Sequence, residues 1–194
     1  MTASTKRRLG WAGLVVGLLV FTFGFVAVHF TGLPEQDSLG VDIYPGIPRG
    51  WQVVLIGQLI AFTGSQFAIA AVVVGWLWER KMTWARATLG ALIFALESTI
   101  IFGIVPNEWL NLTQGTLEFT GQRIAFSLPG WLVLNNDVAI SFATIKDVVH
   151  AGWDTLWFTG MLVGIYQWQV RQQRPSIRPQ PLSTYGRPVV KGER

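Results

Sequence analysis

Apolar positions in this chain gather into four long runs, at about 10–30, 51–78, 87–105 and 139–171, with polar connections between them. A helix rises about 1.5 Å per residue, so a run of ~20 residues reaches across the ~30 Å hydrocarbon core of a bilayer. The pattern predicts an all-α integral membrane protein, a bundle of four transmembrane helices. Within the second run, small residues recur at Gly57, Ala61, Gly64, Ala68, Ala71 and Gly75. They form one seam at the 3.5-residue period along which helices pack closely, which places this helix at the centre of the bundle. Gly10, Gly17 and Gly24 give the first run a similar thin face. Gln58 and Gln66 lie off the seam, placed to hydrogen-bond a neighbouring helix or a ligand headgroup, the first being the simpler role.

The connections carry their own signals. The first apolar run is longer than the core of a secretory signal, and its end, VAVHFTG, lacks a small-x-small cleavage pattern, so it is read as a retained helix. Residues 31–50 hold three prolines and four glycines and read as a loop in water. Residues 79–86, ERKMTWAR, form a tight basic turn. Pro106 is expected to stop the third helix, leaving 107–138 as a long outer segment. There, Thr116-Leu-Glu-Phe and Gln122-Arg-Ile-Ala-Phe alternate around Thr120-Gly121, which predicts a short β-hairpin lying at the membrane surface. The chain thus divides into a membrane domain over 1–171 and a basic, proline-interrupted tail over 172–194 that is expected to be disordered.

Composition agrees with lipid as the solvent. Half of the residues (51%) are hydrophobic, 13% are charged, and the mean hydropathy is positive, which is unusual for a water-soluble domain. Trp11, Trp51, Trp76, Trp78, Trp84 and Trp168 sit at the ends of apolar runs, where an amphipathic ring suits the headgroup region. Twelve of the fifteen Lys and Arg fall at the N-terminus, in the second connection and at the C-terminal end. The excess of basic residues in cytoplasmic segments then puts both termini in the cytoplasm of a multi-pass protein of the cell membrane. Seven of the eleven acids fall on the opposite, outer side.

With no cysteine, the chain has no disulfide, no thiolate metal site and no covalent haem attachment. It also lacks the phosphate-loop, zinc-protease, nucleophile-elbow and dinucleotide-binding patterns, so those enzyme classes find no support. Nucleic acid is no expected partner, because the basic tail is better matched to anionic lipid. What remains are ionisable groups inside apolar runs, which are functional candidates because lipid makes them costly.

Glu97 lies near the middle of the third run, where a carboxyl group stays neutral unless paired, since desolvation disfavours the anion. His150 and Asp154 stand one helical turn apart in the fourth run, and His29 closes the first at matching depth. Two imidazoles from two helices are what a non-covalent haem b needs as axial iron ligands, with Arg49, Arg123 or Lys146 near its propionates and Asp154 orienting one ring. A quinone site asks for less: a donor such as His150, a carboxyl group such as Asp154 or Glu97 to handle protons, and an apolar channel. The expectation is a membrane subunit of an electron-transfer complex, surrounded by lipid and other membrane subunits, with a haem b or quinone site in the outer leaflet. Two alternatives stand beside it: an accessory subunit with no cofactor, and a channel or transport protein that uses Glu97.

Overall fold

A computed structural model of the chain describes residues 2–173. The chain divides into two units, Met1–Gly152 and Trp153–Arg194. Three helical stretches among the described residues are long and apolar enough to cross a membrane: Ser4–Thr31, Trp51–Leu77 and Trp84–Thr116. The tail expected over 172–194 lies outside the described residues, apart from its first two, which are still helical.

The first two helices pair through their small residues. Helix α1 (Ala3–Thr31) starts at Thr2, whose hydroxyl accepts the Thr5 N–H at 3.3 Å. Helix α2 (Trp51–Val72) continues through a π-helical turn at Val73–Leu77. All six small residues of the expected α2 seam meet α1. A methyl group built on Gly17 would lie 2.6 Å from the Ala68 nitrogen, and one on Gly10 would lie 2.8 Å from Gly75 Cα. Gly24 meets Ala61 and Gly57, and Gly64 meets Phe21 and Gly17, more closely still. Backbone thus touches backbone. Lipid supplies no hydrophobic drive for helix pairing, so such close approach, with its dispersion contacts, is what holds the hairpin.

The third apolar stretch does not stop at Pro106. It runs as α3 (Trp84–Thr99), a π-helical turn (Ile100–Ile104), α4 (Val105–Asn111) and a second π-helical turn (Leu112–Thr116). A proline inside a regular helix loses one hydrogen bond and collides with the carbonyl four residues back. Here the wide turn absorbs both effects: the Val105 N–H bonds the Ile100 carbonyl, five residues back, and Pro106 falls at the start of a new α segment, where no N–H is needed. The Ile100 and Ile101 side chains are buried at this turn.

That continuation also changes the outer segment, which begins near Leu117 rather than at Asn107. Thr116 closes the second π turn, with the Leu117 N–H on the Leu112 carbonyl, so the first half of the expected hairpin begins in helix, continues as irregular chain over 117–120 and forms no strand, and Thr120-Gly121 is not a hairpin turn. Strand β1 (Ile124–Leu128) instead pairs antiparallel with β2 (Val138–Ser141) across a 3-10 turn at Gly130–Leu132, with a bulge between Ile124 and Phe126. The last helix, α5 (Phe142–Gln173), therefore starts at Phe142, three residues after the expected Ala139. Ser141 sets that start, because its hydroxyl accepts the Thr144 N–H at 3.2 Å.

Side-chain hydroxyls within the apolar stretches are satisfied locally. Thr22, Thr63, Ser98, Thr99 and Thr113 each donate to the carbonyl four residues back, at 2.7 to 3.0 Å. This is how a hydroxyl is accommodated where there is no water. Few apolar side chains are buried by the chain itself: Ala68, Leu77, Ile100 and Ile101 among the described residues, against a long series of exposed Leu, Phe, Val and Trp. In the second unit, the remainder of α5 carries Trp153 and Trp157 with ring centroids 5.5 Å apart. Although α5 has 32 residues, its Trp, Gln, Thr and Gly content leaves it outside the three stretches apolar enough to cross.

Candidate functional site

Two pairs of polar side chains form rungs between α2 and the third helical stretch. Gln66 Nε2 donates to Glu97 Oε2 at 3.2 Å, and Gln58 Nε2 donates to Glu108 Oε2 at 2.6 Å. All four side chains are half-buried. The two stretches run antiparallel, so residues later in one face residues earlier in the other. Glu97 and Gln66 each lie near the middle of their spans, and the second rung lies nearer the end that leads into the sheet. An amide can donate with its nitrogen and accept with its oxygen, whereas a carboxyl group accepts when ionised and also donates when protonated. Each rung therefore holds in either protonation state of the acid.

Glu97, Gln58 and Gln66 are legible in the sequence as polar residues in apolar runs; Glu108 is not, because it follows Pro106 and counts there as an outer acid. The signal that finds it is its spacing: eleven residues from Glu97 is close to three helical turns, which puts both acids near one face.

Neither rung bond involves a histidine. His29 is exposed in the last turn of α1, with its ring edge-on to Phe30 at 5.3 Å, and Phe30 in turn meets Tyr44 at 5.5 Å. His150 is half-buried on α5. Asp154, on the same helix, is half-buried, with its Oδ1 shielded from solvent. No cluster of three or more imidazole and carboxylate groups suited to a metal ion forms among the described residues.

The three cations expected to serve haem propionates make contacts with the fold around them. Arg49 donates to the carbonyls of Phe30, Leu33 and Ile43, and so fastens the first connection over the end of α1. Arg123 donates to the Leu117 carbonyl at 2.8 Å and lies 4.9 Å from the centre of the Phe142 ring. Lys146 pairs with the adjacent Asp147 at 3.3 Å. For haem propionates, Arg49 fits poorly, because both terminal nitrogens of its guanidinium already serve backbone carbonyls. No family model, curated protein or solved structure matches this chain.

Proposed function

We propose that the chain is an integral membrane subunit of an electron-transfer complex, with α5 as a fourth span, both termini cytoplasmic, and the Gln66–Glu97 rung as its contribution to a quinone site. The observation that carries this reading is the mid-span carboxyl group held by an amide at 3.2 Å. A quinone carbonyl accepts a hydrogen bond from such an amide, and reduction or oxidation of the ring moves protons that a nearby carboxyl group can take or give. The uncovered apolar faces of α1, α2 and α3 support a chain that works among lipid and other membrane subunits.

The test is to isolate the assembled complex through a tag on this chain and measure quinol turnover. Glu97→Gln keeps the interhelical hydrogen bond but removes the titrating group. Turnover should fall about a hundredfold, at the low end for loss of a positioned proton acceptor, with subunit composition unchanged. Parental turnover in this variant would overturn the quinone reading, as would proton conductance by the chain alone that Glu97→Gln abolishes. The haem alternative is decided by colour: a Soret band lost in both His29→Ala and His150→Ala would assign the imidazoles to iron instead.

A further inference from the structure

At the end of the bundle opposite the sheet, the start of α1, the end of α2 and the start of α3 surround a cavity of about 500 Å³ lined by Ser4, Arg7, Gly75, Trp76, Arg80 and Arg86. Three arginines from three separate elements line it: Arg7 from α1, Arg80 from the turn after the first π-helical segment, and Arg86 from the first turn of α3. Arg80 and Arg86 are half-buried.

The fold builds this convergence. Contact between Gly10 and Gly75 draws the start of α1 across the end of α2, and the Lys6–Glu79 ion pair ties the same start to the turn. Thr83 accepts the Arg86 N–H at 3.4 Å and sets the start of α3, while Arg86 Nη1 donates to the Lys81 carbonyl at 2.6 Å, fixing the guanidinium with donors to spare. Trp76 forms one wall, held edge-on by Trp11 at 5.1 Å. Across residues 1–8 and 79–86 there are six Lys and Arg but one carboxylate, Glu79.

We propose that this cavity binds the phosphate of an anionic ligand. Guanidinium groups match phosphate oxygens with paired, charge-assisted hydrogen bonds, and the Ser4 hydroxyl adds a donor. Two sources share that chemistry, the headgroup of an anionic phospholipid and free phosphate. The lipid is favoured by position: Trp78 and Trp84, both exposed, flank in sequence the turn that carries Arg80, and such rings suit the place where a span meets the headgroup layer. This inference stands independently of the quinone reading, since the two sites share no residue.

The experiment titrates the purified full-length chain in detergent with short-chain phosphatidylglycerol, phosphatidylcholine and inorganic phosphate, and follows thermal unfolding. Phosphatidylglycerol should stabilise the parent, with apparent affinity about fivefold weaker for each of Arg7→Gln and Arg86→Gln, the cost of one basic contact at an anionic surface. Arg7→Lys should retain most of the effect, which separates charge from damage to the fold. A response to phosphatidylglycerol that inorganic phosphate neither reproduces nor competes with assigns the lipid. Stabilisation by inorganic phosphate alone, weakened by the same substitutions, assigns free phosphate. Equal responses to phosphatidylglycerol and phosphatidylcholine, or a phosphatidylglycerol response that both Gln variants keep in full, would overturn the site.

Discussion

Gln66 faces a carboxyl group in a region where the alternative partner is lipid rather than water, and that decides what its removal costs. Interhelical hydrogen bonds in membranes average only about 0.6 kcal/mol, because the separated helices find other partners, but a buried polar group left unmade costs about 1–3 kcal/mol. Gln66→Leu strands Glu97 and should destabilise the chain by about 1 kcal/mol, whereas Glu97→Gln preserves an amide-to-amide bond and should change stability by less than half of that. Unfolding in mixed micelles measures both. Equal losses in the two variants would mean that Gln66 contributes by packing and not through the hydrogen bond. Three of the four rung residues, Gln58, Gln66 and Glu97, are readable from polar positions in apolar runs. Which residue pairs with which is not, because partner choice depends on the relative register of two helices, and no single helix encodes that. Glu108 is missed for another reason: Pro106, read as a helix stop, puts it outside the span.

Between α1 and α2 the same kind of reading succeeds, because close backbone approach requires small residues at the helical repeat and little else. Gly64 has the Phe21 backbone against it, so Gly64→Leu must separate the two helices, and Gly17→Leu should act alike against Ala68. Gly103 has nothing within 4 Å of where a side chain would begin, so Gly103→Leu should assemble normally. A cysteine pair placed across the α1–α2 contact would report this by disulfide yield: high in the parent and in Gly103→Leu, and at most a tenth of that in Gly64→Leu. Retained crosslinking in Gly64→Leu would show that the helices pair through other surfaces.

The elements that the sequence pattern misplaced share a cause. Proline as a helix stop assumes a regular four-residue ladder; the five-residue bonds at Ile100–Ile104 are a local rearrangement with no residue signature. Once the helix ran on to Thr116, the strand alternation beyond it had to find another partner. It found Val138–Ser141, a stretch apolar enough to pass for the beginning of a span.

For the molecule as a whole, three apolar stretches and the antiparallel order of their helices put Thr2 and Thr120 at opposite ends, and the proposed orientation, with the Thr2 end in the cytoplasm, rests on the basic asymmetry of twelve to three. α5 then decides the number of crossings. Its composition does not declare it: Lys146, Asp147 and Asp154 in its first half and a run of Trp, Gln and Tyr in its second dilute an otherwise apolar helix. Helix length argues for crossing, since 32 residues at about 1.5 Å each extend well beyond ~30 Å, and Trp168 and Arg171 near its end suit a cytoplasmic headgroup layer.

The two possibilities separate in a labelling experiment on intact cells with a membrane-impermeant thiol reagent, which the lack of native cysteine makes clean. Thr120→Cys should label from outside, and Thr2→Cys only after the membrane is opened. Arg171→Cys is the deciding position. Four spans require it to behave like Thr2→Cys, whereas labelling from outside would leave three spans, with α5 along the outer surface. That outcome would also remove the proposed cytoplasmic C-terminus, yet leave untouched the α1–α2 seam, the two Gln–Glu rungs and the arginine-lined cavity, because each is built from the first three spans alone.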